Sequence, residues 1–377
     1  MSTVFSGARK LDATGVVDNF WMLVEGDSIS ATGTGEAPPA DSTVDVGGAW
    51  LVPGFIDLHS HGGGGHSYDN GITEMLAGLA VHRSHGTTRS VVSLVANPLA
   101  SMRTSVAEIA ELASTDPLIL GSHLEGPFLA MNQRGAHNGE FLRSPVVSDI
   151  EDLVSASKGT LRQVTLAPEL PGALDAIDAF VRSGVRVAIG HTEATYEVVQ
   201  EAFNRGATML THAFNAMPGI HHRAPGPVLA AFEDERVTIE LILDGQHVHP
   251  DVAALAFAQA PGRVALVTDA MAAAGSTDGD YSLGSLTVTV RNGLAMLRGT
   301  STLAGSTLTQ EAALRIAVER AHVSPEKAVE ALTLTPARAL GLDSTLGLLA
   351  PGFAADAVLL NPDWSVREVW AAGEFVI

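Results

Sequence analysis

Short apolar runs recur eight times through the middle of the chain, at 55–59, 88–95, 118–125, 162–167, 185–191, 207–212, 237–243 and 263–269. Between most of them, apolar positions fall at helical spacing, over 72–85, 99–113, 174–182, 196–205 and 250–259. Strands alternating with helices predict a parallel sheet. Near-continuous apolar runs, as opposed to alternating ones, suit strands covered on both faces. Eight such units predict an α/β fold, a (β/α)8 TIM-like barrel, whose chemistry gathers at the C-terminal strand ends.

Both ends of the chain are patterned differently. Short strand signals at 20–24 and 28–32 are broken by Gly, Asp and the Pro38-Pro39 turn, and the tail from Gly347 through Ala357-Val358-Leu359-Leu360 to 366–377 again reads as short strands. A small β-sandwich domain built from residues 1–50 plus 345–377 is therefore expected to flank a barrel over 51–344. Within the last third, 285–297 alternates around Asn292-Gly293, a hairpin signal. Ser324-Pro325-Glu326 then opens a helix, with a capping Ser and a first-turn Pro.

Composition narrows the function. A length of 377 residues accommodates a barrel of about 250 plus a companion domain. Hydrophobic residues make up 46% and aromatics only 5%, so the core is built of Ala, Val, Leu and Ile. With 22 basic and 42 acidic side chains the formal charge is −20, which opposes nucleic acid and anionic membrane as partners. An anionic substrate would need a local basic pocket against that field. The absence of cysteine rules out disulfides, thiolate metal sites and a Cys nucleophile. No basic-then-apolar leader opens the chain and no apolar run reaches about 20 residues, so a soluble cytoplasmic protein is expected.

Polar residues cluster where the strands end. His59 and His61 close the first run, Glu125 the third, His191 the fifth, His212 the sixth and Asp269 the eighth, while Asp244 to His247 follow the seventh. Two imidazoles two residues apart on a strand point to one side and can share an ion. Nitrogen and carboxylate donors without sulfur suit zinc, iron, manganese or cobalt. A lone histidine at a strand end is more often structural, but a barrel brings all of these residues to one mouth. His66, His82, His85, His249 and His322 read as surface or helix residues. His123 is expected either to point away from Glu125 by strand alternation or to support it from behind. His221-His222-Arg223 forms a basic island in an acidic chain, suited to gripping phosphate through paired hydrogen bonds.

Taken in order, His59-Ser60-His61, Leu124-Glu125-Gly126-Pro127-Phe128, Gly135-Ala136-His137-Asn138, Gly190-His191-Thr192, Thr211-His212-Ala213-Phe214-Asn215-Ala216-Met217, Asp244-Gly245-Gln246-His247 and Thr268-Asp269-Ala270-Met271 resemble the N-acetylglucosamine-6-phosphate deacetylase family of the amidohydrolase superfamily. The resemblance implies hydrolysis of the acetamide of N-acetylglucosamine 6-phosphate to glucosamine 6-phosphate and acetate, in amino-sugar catabolism and cell-wall recycling. It implies Glu125, His191 and His212 as ligands of the main metal, zinc before iron, manganese or cobalt, and Asp269 as a further metal ligand and the catalytic acid and base. His59 and His61 match the superfamily's first metal position, so one or two ions per subunit are expected, with Glu125 bridging. Run 4 ends Leu166-Ala167-Pro168-Glu169 without a lysine, which argues against a dihydroorotase or hydantoinase type of site. By the same resemblance Ala136 and His137 contact the sugar, Asn215, Ala216 and Arg223 the phosphate, and Asp244, Gly245, Gln246 and His247 the rim. Thr302, Leu303 and Ala304 contribute further. A homodimer is implied, its pocket completed by the neighbouring subunit through Arg223 or His247. The rival readings are another amidohydrolase, such as a D-aminoacylase or a deacetylase of a different amino-sugar phosphate, and a catalytically silent barrel.

Overall fold

The computed structural model describes all 377 residues. Eight parallel strands stand side by side in sequence order: Phe55–Ser60, Thr87–Val95, Ile119–Glu125, Leu161–Leu166, Arg186–Ile189, Met209–Leu210, Thr238–Ile242 and Val264–Val267 (barrel strands 1 to 8). Their residues are almost all buried, because helices cover the outer face while the inner face closes on itself. A single apolar cluster of 77 buried residues fills the space between strands and helices.

No continuous ladder joins barrel strands 8 and 1. The buried Asp57 carboxylate bridges that seam, accepting from Thr268 Oγ1 at 2.6 Å and from the amides of His59 and Thr268 at 3.2 and 3.3 Å. Burial pushes Asp57 up to about 6, against the pull of these hydrogen bonds. Above the seam, Asp269 N donates to His59 O at 2.8 Å and His61 N to Ala270 O at 2.7 Å. The end of barrel strand 1 and the turn after barrel strand 8 therefore hold each other in register.

The element boundaries depart from the sequence pattern in one useful way. Barrel strand 6 is only Met209–Leu210, not 207–212. His191, His212 and Asp269 lie just beyond their strands, each in the left-handed region with φ of 47°, 26° and 46°. Such backbone costs of order 1–3 kcal/mol per residue, and it turns each side chain over the barrel mouth. Hydrophobic pattern cannot register this, because strand and left-handed turn carry the same apolar neighbours. Helix ends shift by a residue or two, while Pro250–Gln259 falls as the pattern predicts.

Strands from both termini form one eight-stranded sheet. Trp50–Pro53 joins its halves, pairing in parallel with Ser2–Asp12 and antiparallel with Ala357–Leu360. This sheet has its own core of 12 buried residues, among them Phe5, Phe20, Met22 and Ile29. A third sheet, Gly279–Leu283, Leu286–Arg291 and Leu294–Leu297, packs beside the mouth. Its second turn uses Asn292 and Gly293 at φ 51° and 74°, the paired left-handed geometry that a two-residue hairpin needs.

One ion pair fastens the terminal sheet to the barrel. Arg89 of barrel strand 2 grips Asp356 with two hydrogen bonds, 2.6 Å from Nε and 3.1 Å from Nη2, and both side chains are buried. Removing one partner of a buried pair strands the other charge away from water. Asp356→Ala is therefore expected to lower unfolding stability by about 3–5 kcal/mol in denaturant titrations. An unchanged midpoint and slope would refute this account of the junction.

Candidate metal centre and pocket

Glu125 ends barrel strand 3, and five imidazoles converge on its carboxylate. His191 Nε2 and His212 Nε2 each lie 3.0 Å from Oε1 and 3.0 Å from one another. On the other oxygen, Oε2 is 3.1 Å from His61 Nε2, 3.4 Å from His59 Nε2 and 3.3 Å from His137 Nε2. His59 and His61 meet at 3.0 Å, and Asp269 Oδ1 faces them at 3.5 and 3.3 Å. All of these side chains are buried or nearly so. Two groups of potential ligands thus share one carboxylate: Glu125, His191 and His212, and His59, His61, Glu125 and Asp269.

Gly190 permits this crowding, since a Cβ there would sit 2.7 Å from Thr211 Cβ and 2.9 Å from Thr165 Cγ2. His191 Nδ1 donates to Gln133 O at 2.7 Å, which leaves a lone pair on Nε2. His59 Nδ1 faces the buried Glu240 carboxylate at 3.3 Å, with the same consequence for its Nε2. Lone pairs of nitrogen and carboxylate oxygen therefore point at one another across about 3 Å with nothing to donate between them. A divalent cation with bonds of about 2.0–2.2 Å resolves this repulsion, and the donor set fits one. The electrostatics agree. Burial alone would discharge the imidazoles, yet Glu125 and Asp269 outweigh it, raising His59 well above its ordinary range and His61 to about 9. Burial likewise pushes both carboxyls up, and the imidazoles outweigh it, holding Glu125 well below and Asp269 below the usual range. The centre demands positive charge.

His137 differs from the others. Its Nδ1 accepts the Ala96 amide at 3.2 Å, so Nε2 carries the proton and presents it to Glu125 and the pocket. Burial outweighs Glu125 here and lowers its pKa, keeping the ring neutral. His123 is also resolved. Residues two apart on a strand share a face, so alternation does not turn it away from Glu125. It lies inside the barrel beneath the centre, bonded to Ser93 Oγ at 2.9 Å and Thr165 Oγ1 at 2.8 Å and packed edge-on against His59. His82 lies in the helix Ile72–Ser84, within the expected surface-or-helix class, and there it is buried and supports the Gly62 carbonyl at 2.8 Å.

A cavity of about 510 Å³ opens above the centre. Of the residues expected to bind substrate, Ala136, His137, Asn215, Ala216, His247, Thr302 and Leu303 line it. Asp244, Gly245, Gln246 and Ala304 do not, and Ala304 is wholly buried in the third sheet's core. Arg223 is exposed outside the cavity, with Nη1 2.7 Å from His222 Nε2. The lining includes residues that pattern reading passed over: Asn132, Gln133 and Arg134 immediately before Gly135, and apolar walls at Val95, Ile242 and Leu283. Arg134 is the one Lys or Arg of this chain in the lining. Its place next to the Gly135-Ala136-His137 stretch was the available signal.

Asp244 acts through His247. Its carboxylate accepts from His247 Nδ1 at 2.7 Å and from the amides of Gln246 and His247 at 2.8 Å each. Burial would lower His247, but Asp244 and the more distant Asp269 raise it above its ordinary value, and Asp244 itself is held low.

The chain is similar over nearly its full length to known proteins. Residues 50–376 match the model of the amidohydrolase family. The chain is 37% identical to N-acetylgalactosamine-6-phosphate deacetylase of Escherichia coli O157:H7, over 99% of both proteins. It is 35% identical to N-acetylglucosamine-6-phosphate deacetylase of Vibrio furnissii, over 93% of this chain and 89% of that protein. Among solved structures, N-acetyl-D-glucosamine-6-phosphate deacetylase of Mycobacterium smegmatis, with N-acetyl-D-glucosamine-6-phosphate bound, superposes with a TM-score of 0.94 at 41% identity. That match covers 100% of this chain and 99% of the other.

The cationic form of His247 is present below its raised pKa and lost as pH climbs through it. In an NMR titration the His247 midpoint is expected above about 6.5, and Asp244→Asn should bring it down toward about 6.5 or below. Coincident curves for the two proteins would refute the pairing.

Proposed function

The chain belongs to the amidohydrolase family, in its branch of amino-sugar-phosphate deacetylases, and from that premise we propose that it hydrolyses N-acetyl-D-glucosamine 6-phosphate to D-glucosamine 6-phosphate and acetate. The observation that carries this reading is the pair of ligand groups sharing Glu125 beneath a cavity whose lining includes Asn215, His247 and Arg134. A divalent cation bound there supplies Lewis acidity and lowers the pKa of an attacking water toward neutrality. Glu125, His191 and His212 would hold one ion, and His59, His61, Glu125 and Asp269 would hold another. Zinc is the first expectation for such nitrogen and oxygen donors, ahead of iron, manganese or cobalt.

The remaining chemistry belongs to side chains of this protein. Asp269, ionised because the imidazoles hold its pKa down, accepts the proton of the attacking water. It then delivers that proton to the departing nitrogen, so water and amide become carboxylic acid and amine in balance. His137 offers its Nε2–H to the carbonyl oxygen as negative charge develops there. The apolar walls at Val95, Ile242 and Leu283 shield the acetyl methyl from water. His247 and Arg134 set positive charge across the cavity for the phosphate, whose binding fixes the acetamide over the centre. Arg223, exposed and outside its own cavity, supports a homodimer in which it reaches the neighbouring subunit's phosphate. No helix is long and apolar enough to cross a membrane, and the absence of cysteine suits the cytoplasm, where amino-sugar catabolism and cell-wall recycling would use this reaction.

Acetate release from N-acetylglucosamine 6-phosphate, measured with and without a chelator, tests the whole reading. Turnover is expected with metal and lost without it, and a faster rate on the galactose epimer would reassign the substrate. Asp269→Asn should retain metal yet lower kcat by about 10²–10⁴; full activity would remove Asp269 from the mechanism. Arg223→Ala should raise KM for the phosphorylated sugar far more than for free N-acetylglucosamine. Mixing that variant with Asp269→Asn subunits should restore turnover through mixed dimers, and no recovery would place the phosphate contact within one subunit.

A further inference from the structure

Glu240 lies in barrel strand 7 with its side chain inside the barrel and no exposed surface. Its Oε1 accepts from Gln163 Nε2 at 2.6 Å, and its Oε2 faces His59 Nδ1 at 3.3 Å. No lysine or arginine pairs with it, and His59 is its only ionic partner. A carboxylate in such a position is costly unless a positive group compensates it. A glutamine would fill the same volume and satisfy Gln163 without that cost, so the charge itself calls for a reason.

We propose that Glu240 is a positioning residue for the ion held by His59 and His61, orienting the His59 ring and strengthening that half of the centre alone. The proposal rests on the two-ion reading above. Donation of Nδ1–H to Glu240 directs the Nε2 lone pair toward His61 and Glu125 and makes it a better donor. The other imidazoles lack this support. His191 leans on a neutral backbone carbonyl, and the Nδ1 atoms of His61 and His212 have no partner. The two halves of the centre are therefore built unequally, with an added negative charge behind only one of them. Gln163 completes the device by holding the carboxylate from the opposite wall, on barrel strand 4.

The test is metal content by elemental analysis, after equilibration of the full chain in zinc buffers, with the thermal midpoint of metal-free protein as a check on folding. Wild type is expected to hold two ions. Glu240→Gln, nearly identical in shape, should bind one of them about 10–100-fold more weakly and the other unchanged, with its metal-free midpoint no lower than wild type. Glu240→Asp keeps the charge but draws it back by one methylene, and should fall between the two. Retention of both ions at wild-type affinity in Glu240→Gln, or equal loss of both, would overturn the proposal. A wild type that holds one ion, unaffected by Glu240→Gln, would defeat the two-ion reading in its own arm and the role of Glu240 with it.

Discussion

The proposed activity depends on one crowded carboxylate. Glu125 is nearly sealed from water, with imidazole nitrogens at 3.0 to 3.4 Å around both of its oxygens. Apart from the His137 Nε2–H, these groups are acceptors, and acceptors so close and so dry repel one another unless positive charge sits among them. The barrel supplies the constraint that makes the arrangement possible. Eight strands close around a small cross-section, so residues more than two hundred positions apart end within bonding distance of a single cation. Left-handed backbone at His191, His212 and Asp269 completes the aim, at an energetic cost the surrounding packing absorbs.

Beneath the centre the barrel interior is unusually polar. Ser93, His123, Thr165 and Thr211 form one hydrogen-bonded chain, and Gln163 and Glu240 another, both ending against His59 or its neighbours. Hydrogen-bonded networks of this kind hold a site rigid, although Gln163 Oε1 is buried without a partner. The mouth is walled differently. A three-stranded sheet, the segment after it and the 130–140 loop bring Leu283, Thr302, Leu303 and Arg134 to the cavity, so its lining combines apolar and cationic groups.

How much of this was legible in advance depended on the kind of signal. The alternation of apolar runs with helical spacing carried the barrel, because burial on both faces leaves a strand few alternatives to continuous Val, Ile, Leu and Ala. The candidate ligands were legible because His, Glu and Asp are out of place at the ends of such runs. Glu240 was passed over although it interrupts the apolar run Val237–Ile239 to Leu241–Leu243. A single acidic residue within a strand resembles the polar face of an edge strand until its neighbours are known. Arg223 and Arg134 show the same limit. A basic island drew attention to Arg223, yet of the two it is Arg134 that lines this chain's own cavity.

The sequence by itself therefore determined the architecture and the identity of the donor atoms, since hydrophobic periodicity and residue chemistry are properties of the chain read locally. Tertiary structure alone decided which oxygen of Glu125 faces which imidazole, which ring nitrogen bears a proton, and which side chains reach the cavity. Those are relations among residues from different strands, fixed by strand register, turn conformation and the barrel's closure, and no local pattern encodes a distance between elements.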